Sequence, residues 1–371
     1  MELANEDSFC LNVLLASGVQ AVRIDTSSMT VHGLTEKGEA SVKLHPNCRH
    51  DPYLKLVKQT LAEHALDSPE GYPVYLRRWT RMGQLRDENL APLLLTGEEE
   101  AITAVVHAPG LTDEIARRAW WAMPTIENAR RMLEKEAVAR GSMGPVLADF
   151  MVEHLPFEES VVAIMDTVRA LLWFDLVNEA AQKTLWTRGK QHGAYYIAFL
   201  EQRPDRLPVR LSARADYHTT HAALAPLLAS GNIYAQQLDR LLDAPGQTFL
   251  AAIEDAMQRP GTHEIVSALL NSIAHYLDAI RLTQDKARTM EEILAQAEAM
   301  LAAPPQALSQ LLAAVPQHKN DIIAMLTLAG VDQWAAYTVL RRTTAVNALL
   351  RTKLKTVFDP IQKQMQVLRG V

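Results

Sequence analysis

Cysteine is almost missing from this sequence: Cys10 and Cys48 are the only two among 371 residues. That scarcity excludes a disulfide-stapled secreted scaffold and predicts a reducing compartment. The opening stretch MELANEDSFCLNVLLASG has no basic residue ahead of its apolar run, which argues against a secretory leader. Long apolar runs are missing too. The best stretches, near 93–106 and 322–328, are broken by charge or too short for the roughly 18 residues that a spanning helix needs. A cytoplasmic protein with no membrane partner is expected. The strong catalytic signatures are absent as well: no GxGxxG, no phosphate-cradling GxxxxGK[ST], no GxSxG elbow, no HExxH and no CxxC. His263-Glu264 lacks the second zinc histidine, and the RGKQHG stretch at 188–193 lacks P-loop spacing. A nucleotide-dependent or hydrolytic mechanism is therefore not expected.

What is present reads as an ordinary globular chain. Hydrophobic residues make up 48% and charged residues 22%, which argues against disorder. At roughly 100–200 residues per domain the length allows two or three folding units, or one elongated repeat array. A chain of this size buries about three quarters of its unfolded surface, so it needs no disulfide or metal for stability; with no four-ligand set visible, no metal or organic cofactor is expected. The net charge of −6 is unevenly spread: residues 341–371 hold seven Lys/Arg and one acid, which gives that tail +6 and leaves −12 for the rest.

Period and punctuation give the architecture. Glu6, Asp7 and Ser8 offer N-cap chemistry ahead of Phe9, Leu11, Leu14 and Leu15 at near-helical spacing. The period then changes to two: Val22 and Ile24, then Met29 and Val31, then Ala40, Val42 and Leu44, separated by turn residues. This predicts a three-stranded antiparallel meander whose apolar face must pack on something. Asp51-Pro52 reads as a helix start, followed by Leu54, Val57 and Leu61 on one face. From there helix-length segments follow one another, broken at Gly189–Gly193, Gly231-Asn232, Pro245-Gly246, Pro260-Gly261, Pro304-Pro305 and Gly330 among others, and Thr112-Asp-Glu opens one of them with a cap. The expected fold is mainly α, a stacked, helical-repeat-like (α-solenoid-like) array behind a small N-terminal three-stranded antiparallel β meander. The expected parts are a β-rich subdomain over 1–50, a first helical domain over 51–201, a linker over 202–216, and a second helical domain over 217–371 with a basic C-terminal helix. The linker assignment rests on QRPDRLPVRLSARAD, which carries two prolines and four arginines.

Four groups of residues are candidates for chemistry. His45, Cys48 and His50 set two imidazoles and a thiol within six residues, a partial zinc-ligand set; a polar connector is the ordinary reading. Cys48 is also flanked by Arg49 and His50, which favour a thiolate, whereas Cys10 sits in an apolar stretch that reads as buried. His218 and His221 share a helix face near Asp216; two partly exposed histidines at a capped helix start is the ordinary alternative. In residues 71–87, Arg77, Arg78, Arg81 and Arg86 interleave with Tyr72, Tyr75 and Trp79, a composition able to hold phosphates and stack bases, although a helix with Leu76, Trp79 and Met82 on its core face and the arginines toward water or carboxylates is the favoured reading. Trp120 and Trp121 read as helix-stacking core. Finally, WAAYTVLRRTTAVNALLRTKLKTVF, residues 334–358, predicts a basic amphipathic helix, with Arg341, Arg342, Arg351, Lys353 and Lys355 off its apolar face. Such a helix suits RNA, an acidic partner, or the acidic body of its own chain.

Four strings also carry a family resemblance: VQAVRIDTSSMTVHGLTEKGEASV, PVYLRRWTRMGQLRD, GLTDEIARRAWWAMPTIENARRML and MGPVLADFMVEHLPFEE. They resemble the DsrS family of so-called sulfur reduction proteins, cytoplasmic proteins encoded beside the reverse-acting dissimilatory sulfite reductase system of sulfur-oxidising bacteria. The resemblance covers residues 1 to about 160. It implies a soluble, cofactor-free accessory or regulatory role among the proteins of sulfur oxidation, and it carries no catalytic residues. The expected function is non-enzymatic and works through protein–protein contacts. The alternatives are an RNA-contacting regulator that uses the basic C-terminal helix, and a thiol- or metal-dependent sulfur-handling protein centred on Cys48.

Overall fold

The computed structural model describes residues 2–66, 90–281 and 288–371. Helices dominate, and three strands near the N-terminus form an antiparallel sheet in the order β1-β2-β3. The chain divides into two compact units, Met1–Phe157 and Glu158–Val371. No single helix among the described residues is long and apolar enough to cross a membrane.

The first unit begins with helix α1 (Asn5–Ala16), then β1 (Ala21–Asp25), β2 (Thr30–Thr35) and β3 (Gly38–Lys43), then helix α2 (His50–Leu66). The expected alternation sets the register: Ile24 lies opposite Val31, and Val31 opposite Val42. Met29 is the exception. It sits in the β1–β2 turn with φ of +51° and is buried there. The Asp25 carboxylate stabilises that turn by accepting from the amides and hydroxyls of Ser27 and Ser28. The sheet's apolar face is covered by α1 and α2 in one core containing Leu11, Leu14, Val22, Val31, Tyr53, Val57 and Leu61. The fit at Gly33 is close: an added Cβ would stand 2.5 Å from Val19 Cγ2 and 2.9 Å from Leu14 Cδ1, so any larger residue here would push the Val19 and Leu14 side chains aside. Residues 1–50 are thus part of the first unit and not a separate subdomain, because the sheet buries its face against α2 and the Val22 amide donates to the Leu94 carbonyl.

Asp7 departs from its expected role. The helix start has no side-chain cap. Asp7 instead turns inward, 1% exposed, and accepts from the Tyr53 hydroxyl, the His45 amide at 2.7 Å and the His45 ring. Burial pushes its carboxyl up, but these hydrogen bonds outweigh burial and hold it below the ordinary carboxylate range. Burial, and then the bond to Asp7, push the Tyr53 phenol up to about 12. A carboxyl with a depressed native pKa contributes stability that is whole above its unfolded value near 4 and is lost as pH falls below it. The Asp7→Asn variant is expected to lose about 1–3 kcal/mol at pH 7, since the buried donors lose their ionic acceptor. It is also expected to lose less stability than the wild type between pH 5 and pH 3. Urea melts at the two pH values check both; parallel pH dependence in the two proteins would contradict the assignment.

The rest of the first unit is a run of helices, chiefly Glu99–His107, Asp113–Ala122, Ile126–Leu133 and Met143–His154. Thr112 caps its helix as expected, accepting from the Ile115 amide. Asp113 reaches across to accept from Ser142 and the Met143 amide. Trp120 and Trp121 are packing residues: Trp120 meets Phe150 edge to face at 4.8 Å, and Trp121 lies under the Arg23 guanidinium and donates to Glu39.

In the second unit the helix Gly193–Gln202 is buried around its whole circumference from Ala194 to Leu200. It packs against the helices Val161–Trp173, Glu179–Gly189 and His263–Tyr276. The C-terminal helix Lys355–Arg369 returns to pack on Lys319–Ala329 and Ala244–Gln258, burying Val357, Phe358, Ile361, Met365 and Leu368. The breaks at 189–193, 231–232, 304–305 and 330 fall where the glycines and prolines predict them.

The expected linker over 202–216 is not a boundary. The units divide at Phe157 and Glu158, and 202–216 lies inside the second unit. Two of its four arginines are anchored: Arg203 pairs with Asp175 and donates to the Leu172 carbonyl, and Arg214 is nearly buried in an ion-pair network.

Candidate functional site

The basic C-terminal residues belong to the second unit, although not to one helix. The expected helix over 334–358 is three: Trp334–Leu340, Asn347–Lys353 and Lys355–Arg369. The break spans 341–346, where Thr343 and Thr344 are β-branched residues of poor helix propensity. Beyond it Asn347 takes φ of +54° and donates its amide to the Gly261 carbonyl at 2.7 Å, which fixes where the next helix starts.

This break changes what the segment presents. Leu350, Leu354 and Val357 are buried as expected. Val346 and Leu349, expected on the same inward face, are instead 50% and 59% exposed, and Tyr337 is also exposed. In the same segment Arg341, Arg342, Arg351, Lys353 and Lys355 all face solvent, and none has an ion-pair partner among the described residues. Arg341 lies 5.9 Å from the Tyr337 ring centroid. Of the tail's cations, Arg369 is the one clamped to an acid of its own unit, Glu254. Exposed apolar side chains and exposed cations thus share the segment 337–355. Desolvating the apolar groups favours association, and the cations select a partner of opposite charge.

The other candidates are placed differently. Arg77, Arg78 and Arg81 lie outside the described residues. His45, Cys48 and His50 are not brought together as ligands: the His45 ring faces Asp7, Cys48 packs partly buried against the N-terminal core, and His50 is exposed at the start of α2. Among the described residues no group of three or more His, Cys, Asp or Glu side chains is arranged to hold a metal ion. Cys10, expected to be buried, is half-buried like Cys48, because α1 turns Phe9 and Val13 toward solvent and Leu11, Leu14 and Leu15 toward the core. His221 pairs with Asp239 at 2.7 Å, and Asp216 serves Arg214 instead of the histidines.

One cluster escaped the sequence reading altogether. The Arg214 guanidinium donates to both Asp216 oxygens at 2.7 and 2.8 Å, to both Asp321 oxygens at 2.9 Å, and to the Val367 and Leu368 carbonyls at 3.4 Å. Every one of its five N–H groups has an acceptor. Asp321 also lies 2.6 Å from His318 Nδ1, and His318 Nε2 lies 2.9 Å from the Thr220 hydroxyl. The contact to Asp321 requires the proton on Nδ1, so the 3.0 Å approach of Arg214 to that nitrogen is not a hydrogen bond. Hydroxyl, imidazole and carboxylate stand in the order of a nucleophilic triad. Thr220 and His318 are, however, 2% and 4% exposed, and the far side of Asp321 is filled by an arginine. No substrate reaches this hydroxyl. The cluster ties the helices Tyr217–Ala229 and Lys319–Ala329 to the C-terminal end of Lys355–Arg369. Comparison with protein-family models, with curated proteins and with solved structures finds no match to the chain.

Proposed function

We propose that the chain is a non-enzymatic binding protein that docks an acidic protein partner on its C-terminal cationic face. The observation that carries this reading is the set of five exposed cations, unpaired among the described residues, in the same segment as the exposed side chains of Tyr337, Val346 and Leu349. A tail serving only to neutralise its own acidic body would bury these charges against carboxylates, as Arg369 does with Glu254. Aromatic and arginine side chains around an apolar centre make up the usual energetic core of a protein interface. The resemblance of residues 1 to about 160 to the DsrS family supports a cytoplasmic accessory role in sulfur oxidation, with a partner among the proteins of that process.

RNA is the competing ligand for such a face. Three apolar or aromatic side chains exposed in the same segment favour a protein, and the −12 carried by residues 1–340 opposes a polyanion beyond the immediate patch. The protein recovered from its own cells is expected to retain an acidic protein through nuclease digestion and to release it as salt rises from about 0.1 to 0.5 M, where screening shortens to a few ångströms. Release of the bound material by nuclease would overturn the reading in favour of RNA.

A further inference from the structure

The connector after helix Gly193–Gln202, richest in arginine and proline, walls two adjoining clefts of the second unit. One, of about 350 Å³, is lined by Pro204, Asp205, Arg206, Leu207, Val209, Arg210, Pro245 and Thr248. The other, of about 380 Å³, is lined by Leu172, Trp173, Asp175, Gln202 and Arg203 and shares Pro204, Asp205 and Arg206 with the first. Each falls in the size range of small-ligand sites.

The charges do not cancel. Asp175 is matched by Arg203 at 2.5 Å, and Asp205 by a two-pronged contact from Arg240, with the Tyr276 hydroxyl donating to it at 3.0 Å. Arg206 and Arg210 are left over: both are exposed, and neither has an ion-pair partner among the described residues. With Asp205 neutralised by Arg240 from outside the lining, two positive charges in the clefts are left unmatched. Beside Arg206, in the second cleft, stands Trp173, 67% exposed at the end of its helix. The walls are preformed. Arg203 also donates to the Leu172 carbonyl, the Leu211 amide donates to Thr248, and Arg240 stacks on Tyr276 at 3.8 Å. Ordering such a site on binding costs little.

We propose that these clefts bind a small aromatic organic phosphate, with Arg206 and Arg210 on the phosphate and Trp173 stacked on the ring. A phosphate monoester carries −1.5 to −2 at neutral pH, which matches those two charges. Guanidinium groups fork onto phosphate oxygens, and indole faces stack on planar rings. The site is separate from the cationic C-terminal face and does not depend on it.

Adenosine 5′-monophosphate tests this by calorimetry on the full chain, with adenosine and inorganic phosphate as its two halves. Saturable binding with Kd below about 1 mM is expected, with each half at least about ten-fold weaker. Arg206→Ala with Arg210→Ala should weaken adenosine 5′-monophosphate at least about ten-fold with an unchanged thermal melt, because both side chains are exposed. Trp173→Ala should weaken it several-fold and leave inorganic phosphate unaffected. Absence of saturable binding would overturn the proposal. So would equal affinity of the double variant and the wild type, or equal affinity for the nucleotide and inorganic phosphate.

Discussion

Replacing Arg214 with alanine should destabilise the second unit by about 3–5 kcal/mol, the usual result of removing one member of a buried ion pair. The loss follows from what the guanidinium leaves behind. Asp321 is 8% exposed and would keep only His318 as a partner among the described residues, while the Val367 and Leu368 carbonyls near the end of the C-terminal helix would each lose one donor and keep the Gly370 amide and the Gln247 side-chain amide respectively. Burial pushes the Arg214 guanidinium down, but the bonds to Asp321 and Asp216 outweigh it and raise it above its ordinary value. The bonds and charge of Arg214 hold the Asp216 carboxyl below its ordinary value despite partial burial. A depressed carboxylate contributes stability above its unfolded pKa and loses it as pH falls through the native one. The penalty of Arg214→Ala should therefore shrink as the solution is acidified below about pH 4. At roughly 2–4 °C per kcal/mol for a unit of this size, the variant's transition should fall by about 6–20 °C at neutral pH. Arg214→Lys should recover only part of this, since an ammonium cannot span both carboxylates and the two carbonyls. A calorimetric melt measures each; a shift of under about 2 °C for the alanine variant would show that the cluster does not secure the unit.

The cluster also shows where a sequence stops being readable. Strand alternation at Val22, Ile24, Val31 and Val42, the helix start at Asp51-Pro52 and the Thr112 cap are decided within a few residues, so their signals are local and the structure follows them. Arg214 finds Asp321 107 positions away. Asp7 finds Tyr53 46 positions away. A carboxylate among helix-start residues looks like a cap, and arginines among prolines look like a solvated linker, because composition reports polarity and says nothing of partners brought in by tertiary folding. The C-terminal segment failed differently. Helical spacing is continuous across 334–358, yet Thr343, Thr344 and the left-handed Asn347 interrupt it, and a second break at Leu354 leaves three helices. The cations were legible one by one. That Val346 and Leu349 turn outward among them was not, because it depends on that break.

The cationic face makes the central claim, and reversing its charge should abolish docking without unfolding the chain. Arg351, Lys353 and Lys355 are exposed and unpaired among the described residues, so Arg351→Glu, Lys353→Glu and Lys355→Glu together should leave the far-ultraviolet spectrum unchanged and the melt within about 2 °C. Each reversal replaces an attraction with a repulsion. A rim charge mainly tunes the association rate and the salt dependence, whereas three reversals on one short helix and its successor change the sign of the local field. The most direct measurement is the Kd of the purified acidic partner for the wild type and for the triple variant at 0.15 M salt. An increase of about 100-fold or more, corresponding to about 2.7 kcal/mol, is predicted. A Kd within about three-fold of the wild type, with the fold intact, would contradict the assignment of this face as the docking surface.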